Sequence, residues 1–480
     1  MLDALVVGAG ISGLSLGRTL QQQQHSLLVA ERQPQVGGNI TTSSTGEFLW
    51  EEGPNSFSPA RELLELAVDA GLREELVLAD RQLPRYIYWR GRLHPVPMRP
   101  SAALKTQLLS PSGKLRALAG ALGFVPPAVG EAVSQQGGEE TVAQFFQRHL
   151  GREVTERLVA PFVSGVYAGD VRQLSAQAAF RRVTQLADRG GGLLPGALLG
   201  RQAAPQRPAA SQAQLPQTRS GELGSFRTGL QALPNAIAER LGDALRCNWA
   251  LSQLQRTERD SYLATFQTPQ GPQQVEARAV VLTTPAYTSA ELLRPLHARA
   301  SQRLAAIPYP PVASVVLAYP QQALGGALRG FGNLNPRGQG IRTLGTIWSS
   351  ALFAGRAPAG WEILTNFIGG ATDPEIARLD EDRIVQAVHA DLRQVLLARD
   401  VAPKVLAVRL WHRAIPQYAI GHQAQMQALE TELAELPGLF LCSNYLDGVS
   451  LGDCVRRGFE RAHAVSHYLQ APAAAPAAAA

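Results

Sequence analysis

VVGAGISGL (residues 6–14) and ERQPQVGG (residues 31–38) are the stretches whose reading decides the fold. The first continues a short apolar run, DALVV at 3–7, and opens a helical stretch through Gln24. Residues 26–30, SLLVA, then read as a second strand ending at Glu31. A strand–turn–helix–strand unit of this length is a parallel βαβ. Gly8, Gly10 and Gly13 spell G-x-G-x-x-G in the turn. The first glycine permits the tight turn, the second lets the backbone approach a pyrophosphate, and the third lets helix and strand pack closely. The helix N-terminus favours the phosphate charge.

By itself the pattern is weak in a chain with 45 glycines, and its context strengthens it. Glu31 stands about 18 residues beyond Gly13, at a strand end, where an acid accepts hydrogen bonds from ribose hydroxyls. Gly37 and Gly38 follow directly and imply another close backbone approach. That arrangement suits FAD lying extended. NAD is the rival, but no Lys, Ser, Tyr or His set for hydride exchange with a carbonyl is readable.

The 480 residues suffice for two or three domains. The net charge of +6 is not gathered into a basic stripe or recognised module, so nucleic acid is not the expected partner. A positively lined pocket for an acidic ligand fits, and so does contact with an anionic membrane. Cys247, Cys442 and Cys454 form no C-x-x-C pair, which points to a reducing compartment and to no zinc or iron–sulfur centre. No metal site is expected, and His412 and His422 read as structural or peripheral. The first strand begins almost at Met1, so no signal or transit peptide is expected, and the reading is cytoplasmic. No segment offers about 18 consecutive apolar residues.

Farther along, 59–78 has helical spacing broken near Gly71. Residues 86–98 read as a hairpin turning at Arg90–Gly91, its proline-bearing second strand at a sheet edge. From 101 to 190 the pattern is helical, and 190–220 reads as a long mobile loop. A helix is expected around 229–241. Strands are expected at 244–250, 261–268, 275–283, 312–319, 341–349, 361–368, 403–411 and 439–444. Helices are expected at 381–397 and 449–469. The tail from 471, APAAAPAAAA, reads as disordered.

EEGPNSF (51–57), SGVYAGD (164–170), GSFRTGLQALP (224–234), RLWHRAIPQYAIGH (409–422) and NYLDGVSLGDCVRRG (444–458) extend the pattern over nearly the whole chain. With these motifs the sequence resembles the oxygen-dependent protoporphyrinogen IX oxidases of cyanobacterial and plant plastid type, within the FAD-dependent amine oxidase-like superfamily. The resemblance implies an α/β fold: a Rossmann-type FAD-binding domain, a mixed α/β substrate domain and an inserted helical domain. The FAD domain would be discontinuous, over 1–84, 218–300 and 428–470. The substrate domain would take the hairpin 85–100 and 301–427. Residues 101–217 would form the membrane-associating insertion. The implied cofactor residues are Gly8, Gly10, Ser12, Gly13, Glu31, Arg32, Gly37, Gly38, Asn39, Glu52, Gly53, Pro54, Trp411, Gly448, Val449 and Ser450. On the substrate side, Arg85 in LPRYIYW matches an arginine that pairs with a propionate, Phe367 in TNFIGG an aromatic that packs on a pyrrole ring, and Ile347 in LGTIWSS a clamp position that is commonly leucine. Leu334 is a further apolar contact. Gly165 and Gly169, with Ala168 between them, would let the macrocycle lie against backbone.

The implied reaction oxidises protoporphyrinogen IX to protoporphyrin IX, removing six electrons and six hydrogens in three cycles. Each would begin with hydride transfer from a meso carbon to flavin N5, and O2 would reoxidise the flavin, giving three H2O2 per product. The cofactor carries the redox chemistry, so no catalytic acid or base is expected. Oxidation of coproporphyrinogen III, with four propionates, stays open as an alternative, as does an amine oxidase or carotenoid desaturase activity. Related proteins form dimers, which leaves a homodimer open, although nothing in the sequence reads as an interface.

Overall fold

The computed structural model describes residues 1–127, 138–190, 192–195 and 215–471. The expected loop at 190–220 and the tail from 471 therefore lie largely outside the described residues.

Strand Leu2–Val7 pairs in parallel with Leu27–Ala30 on one side and with Gly271–Leu282 on the other. Leu439–Leu441 adds in parallel to Gly271–Leu282, and Leu245–Arg246 to Leu27–Ala30. An antiparallel meander, Ala250–Arg256 and Tyr262–Thr268, completes a seven-stranded sheet. The parallel strands are near-continuous apolar runs because both faces are covered. Ala4, Val6, Val29 and Val281 pack on one face with Leu14, Leu20, Val455 and Val465. Leu5, Val7, Val280 and Leu282 pack on the other with Phe266, Leu293 and Leu439. Successive residues of a strand thus feed two cores.

The helices Ile11–Gln22 and Leu451–Gln470 lie side by side on the first of these faces. Their approach depends on Gly458, where an added Cβ would stand 2.1 Å from Ser15 Oγ and 3.1 Å from the Ser12 carbonyl oxygen.

The second seven-stranded sheet runs in the order Lys404–Trp411, Val312–Pro320, Trp361–Gly369, Thr343–Trp348, Gly332–Leu334, Arg85–Trp89, Arg92–Pro95. The hairpin turns through Arg90 and Gly91, both at positive φ, and its proline-bearing strand is the edge. The helix Glu381–Val395 covers one face, placing Ile384, Val388 and Leu392 against Val315, Leu317 and Ile368.

The helical region has its own small core of Val142, Phe145, Phe146, Val163 and Leu174. Thr141 and Gln144 close a capping box on Val142–Leu150.

Several expectations are corrected. Residues 76–79 are not helical: after Arg61–Asp69 the chain turns at Gly71 (φ 85°) and forms Leu76–Ala79, antiparallel to Leu223–Phe226. Helical spacing in a short apolar run is also compatible with a strand, and the partner lies far away in sequence. The strand read at 244–250 is two pieces in different places, interrupted by Asn248 at positive φ. The strand read at 439–444 ends at Leu441. The hairpin Thr42–Thr45 with Phe48–Glu51 and the helices Ala286–Leu293, Ala298–Ala305 and His422–Leu433 were not foreseen.

Gly458→Ala gains up to about 1 kcal/mol of helix propensity but overpacks the helix–helix seam, at about 1–3 kcal/mol. A net loss of stability in urea unfolding is therefore expected, and a gain would contradict the close-packing account.

Candidate functional site

The dinucleotide end is built by packing of glycines. Gly8 has φ 108°, and a Cβ there would stand 2.6 Å from Thr283 Oγ1. Thr283 Oγ1 lies 2.9 Å from both the Val7 and Gly8 carbonyl oxygens. A Cβ on Gly13 would lie 2.0 Å from the Gly8 carbonyl oxygen, whereas one on Gly10 would meet nothing within 4 Å. The first and third glycines are thus demanded by the protein itself, and the second is left open towards a ligand.

Glu31, 7% exposed, accepts the Ala9 N–H at 2.8 Å and the Gln33 N–H at 2.9 Å. Its carboxylate therefore shapes the glycine loop and keeps lone pairs for a ribose. Gly37 N–H donates to the Ala9 carbonyl at 2.8 Å, so the second glycine pair is docked on the first loop. Arg32, Gly38 and Asn39 are exposed beside it. The helix Ile11–Gln22 carries no side-chain cap and no acid in its first turn. Its uncapped N–H groups, the open Gly10 and the Glu31 carboxylate form a donor and acceptor set that fits pyrophosphate and ribose.

Ser12 is buried against the last helix, hydrogen-bonded to Cys454, so it packs rather than opening to solvent. Ser450 caps that helix, its Oγ accepting the Asp453 N–H at 3.1 Å. Gly448, at φ 80°, leaves room for the Asp453 carboxylate, which a Cβ would meet at 2.4 Å. Val449 is half-buried between them. One turn on, Gly452 lies against Ala60. The start of the last helix therefore stands next to the segment that follows residues 51–57.

That segment runs between the two sheets. A Cβ on Gly53 would sit 2.0 Å from the Asn39 carbonyl oxygen, which binds the segment to the glycine-rich side. Glu52 accepts Ser43 Oγ at 2.7 Å and pairs with Arg409 at 3.1 Å, and Arg409 lies over the Trp411 ring. Pro54 is half-buried. Asn55, buried, accepts Ser349 Oγ at 3.1 Å, and Ser349 in turn contacts Thr365 Oγ1 at 2.9 Å. Asn55 Nδ2 has no hydrogen-bond partner among the described residues. Sequence reasoning missed Asn55, although it lies inside a quoted motif.

Register places the remaining candidates. Cross-strand partners share a face. Leu334 pairs with Gly345, Gly345 with Phe367, Phe367 with Ser314, and Ser314 with Arg409. In neighbouring rows, Arg85 pairs with Gly332, Gly332 with Ile347, and Val312 with Trp411. Arg85, Leu334, Ile347, Phe367 and Trp411 therefore share one face of the second sheet. Five strand steps separate Arg85 from Arg409, about 24 Å at about 4.8 Å per step.

The helix Ala160–Tyr167 walls this face. Leu334 Cδ2 lies 2.4 Å from where a Gly165 Cβ would be, so Gly165 is needed for helix–sheet contact. Ala168 is left-handed at φ 50° and ends the helix; its carbonyl accepts the Ala371 N–H at 2.7 Å. Its side chain packs with Val312, Leu344 and Phe367. A Cβ on Gly169 would be 2.7 Å from Gln417 Oε1, and Gln417 Nε2 donates to the Tyr167 carbonyl. Ile347 packs apart from Phe367, with Phe331, Leu352 and Phe353. Arg85 lies over the Phe331 ring and makes no ion pair among the described residues. Burial holds its guanidinium below the usual arginine value.

Comparison with known proteins identifies the family. Residues 11–466 match the family model of the flavin containing amine oxidoreductases. The chain is 44% identical to the chloroplastic protoporphyrinogen oxidase of Nicotiana tabacum, over 98% of this chain and 86% of the relative. It is 27% identical to the coproporphyrinogen III oxidase of Bacillus subtilis, over 95% and 96%. A crystal structure from Exiguobacterium sp. 255-15 superposes with a TM-score of 0.78 at 25% identity, covering 97% of this chain and 99% of the other.

Ser349→Ala removes the donor to the buried Asn55 carbonyl and should cost about 1–3 kcal/mol. Urea unfolding measures this, and an unchanged midpoint would show that the Asn55–Ser349 bond does not hold the crossing segment.

Proposed function

The chain belongs to the flavin-containing amine oxidoreductases, on their protoporphyrinogen oxidase branch, and we propose on that premise that it oxidises protoporphyrinogen IX to protoporphyrin IX. Its cofactor is FAD. The observation that carries the reading is the shared face of Arg85, Leu334, Ile347, Phe367 and Trp411, tied to the dinucleotide end by Glu52–Arg409 and by Asn55–Ser349–Thr365. Gly8, Gly10, Gly13, Glu31, Gly37, Gly38 and residues 52–54 would hold FAD, which would supply the redox chemistry: two-electron oxidation in each of three cycles, with O2 reduced to H2O2.

The chain's own residues bind, orient and exclude water. Arg85 grips one propionate, an interaction strengthened by its partial burial. Phe367 and Ile347 press on the pyrrole rings from two separately packed clusters, so the macrocycle is held at two points. Leu334 and the Gly165–Ala168–Gly169 turn bound the pocket. Trp411, Gly448, Val449 and Ser450 flank the flavin end. Holding a large apolar ring in one orientation is the protein's main contribution to the rate.

Coproporphyrinogen III is disfavoured by charge. Its four propionates need more cationic anchors, yet on this face Arg409 is held by Glu52 and stands about 24 Å from Arg85. The coproporphyrinogen III oxidase relative is also the more distant one.

The helical region adds a membrane reading. Leu104, Leu115, Leu118, Leu122 and Phe124 are all more than half exposed, and Leu115, Leu118 and Leu122 share one side of Pro111–Ala121 and its cap. Among the described residues no helix is long and apolar enough to cross a membrane. An exposed apolar patch of this kind lies on a bilayer surface rather than spanning it.

Arg85→Ala should raise KM for protoporphyrinogen IX about tenfold or more, with kcat changed far less. Product fluorescence gives both, with H2O2 counted alongside at three per porphyrin, and an unchanged KM would remove Arg85 from the site. Leu115→Ser/Leu118→Ser/Leu122→Ser should abolish co-sedimentation with anionic vesicles while detergent-assayed turnover persists. Undiminished co-sedimentation would contradict the membrane reading.

A further inference from the structure

Glu51, the neighbour of the flavin-side Glu52, points the other way, into the protein. Its carboxylate is almost fully buried. It accepts Thr42 Oγ1 at 2.6 Å and the Leu230 N–H at 2.9 Å, and stands 3.8 Å from a nitrogen of Arg356. Arg356 is itself 3% exposed. It donates to Ser225 Oγ at 2.8 Å and to the Phe226 carbonyl at 3.1 Å, and one terminal nitrogen has no hydrogen-bond partner among the described residues. The Arg356 carbonyl accepts the Leu49 N–H at 2.9 Å, so the arginine's loop, between two strands of the second sheet, is stitched to the Glu51 hairpin.

From Glu51 the polar chain continues towards the cofactor. Thr42 Oγ1, while donating to Glu51, accepts the Gln231 N–H at 3.0 Å. Gln231 Nε2 donates to the Val36 carbonyl at 2.9 Å. Val36 precedes the glycine pair whose N–H holds the Ala9 carbonyl of the first glycine loop. Gly229 makes room for this chain, since a Cβ there would stand 2.2 Å from Thr42 Cγ2. A part-buried line of polar contacts, all hydrogen bonds except the 3.8 Å Arg356–Glu51 ion pair, thus runs from a loop of the second sheet to the glycine loop. Glu51 is an acceptor at every contact.

We propose that Glu51 is a positioning residue for the cofactor, which in its ionised form fixes the second glycine pair through Thr42 and Gln231 and couples that pair to the substrate sheet through Arg356. The inference rests on the FAD reading of the glycine loops. Burying an ion pair at 3.8 Å repays little of its desolvation, so such a pair is poor evidence for stability and a better candidate for registry. Burial accordingly raises the Glu51 carboxyl to about 7, offset in part by Thr42, the Leu230 N–H and Arg356. Burial also lowers Arg356, which Glu51 partly restores. Arg356 is the charged group that faces Glu51; Glu52 faces Arg409 and Ser43.

The sign of the two pH effects separates positioning from mere stability. Between the ordinary carboxylate value of 4.5 and about 7 the folded protein holds a proton that the unfolded chain has released, so stability falls as pH rises through this window. Ionised Glu51 suits the acceptor role, so FAD affinity should rise over the same window.

The test titrates FAD-free full-length protein with FAD, following flavin fluorescence, about one unit below and one unit above pH 7. The unaltered protein should bind several-fold more tightly at the higher pH. Glu51→Gln should bind about tenfold more weakly there and lose the pH step. Thr42→Val, which breaks the middle link without touching charge, should weaken binding at both pH values. A pH step that survives in Glu51→Gln, or Thr42→Val binding as tightly as the unaltered protein, would overturn the inference while leaving the FAD reading intact. Failure of the unaltered protein to bind FAD at all would overturn both.

Discussion

The structure depends on one constraint: residues 51–57 cross between two sheets, and their polar side chains must find partners where there is little water. An unpaired buried polar group costs free energy comparable to a lost hydrogen bond, and an unpaired charge costs more. The segment meets this cost in three directions. Glu51 turns back into the interior, Glu52 reaches Arg409 on the second sheet, and Asn55 engages Ser349 and, through it, Thr365. The Glu52–Arg409 and Asn55–Ser349 bonds also fix where the second sheet stands relative to the glycine loop, whereas Glu51 is bonded to Thr42 and Leu230. Satisfying buried polar groups and aligning the second sheet with the glycine loop are here the same act.

Close packing of backbone fixes what hydrogen bonds do not. At Gly13, Gly53, Gly165 and Gly458 a Cβ would stand about 2.0 to 2.4 Å from a neighbouring atom. The glycines sit where helix meets strand, where the crossing segment meets Asn39, where the walling helix meets Leu334 and where the first and last helices meet. Surface ion pairs such as Arg152–Glu156 contribute little by comparison, since exposed pairs are worth about 0–1 kcal/mol.

The dinucleotide end was largely legible in the sequence because its requirements are local. Gly8, Gly10, Gly13 and Glu31 answer to a turn, a close approach and a strand end, all within one βαβ unit. The candidate substrate residues were named only through family resemblance. Arg85, Leu334, Ile347 and Phe367 lie on four different strands, and nothing in their own neighbourhoods says that register puts them side by side. Leu76–Ala79 was misread for the same reason, since its partner Leu223–Phe226 is far along the chain. Asn55 was passed over because its significance lies in burial, which a Pro-Asn pair does not announce, and the buried contacts of Glu51 are equally silent in a Glu-Glu pair. Gly165 shows the reverse case: a position expected to border the macrocycle also has a plain packing duty against Leu334.

The central claim is that a two-propionate porphyrinogen held on the Arg85–Phe367 face delivers electrons to a flavin seated across the crossing segment. Anaerobic stopped-flow absorbance of the FAD-loaded protein tests it directly, with protoporphyrinogen IX and coproporphyrinogen III mixed in turn. The account predicts fast bleaching of the flavin band with protoporphyrinogen IX and slow bleaching with coproporphyrinogen III. The reverse order would contradict the substrate assignment, and an oxidised flavin that neither porphyrinogen bleaches would contradict the porphyrinogen reading altogether.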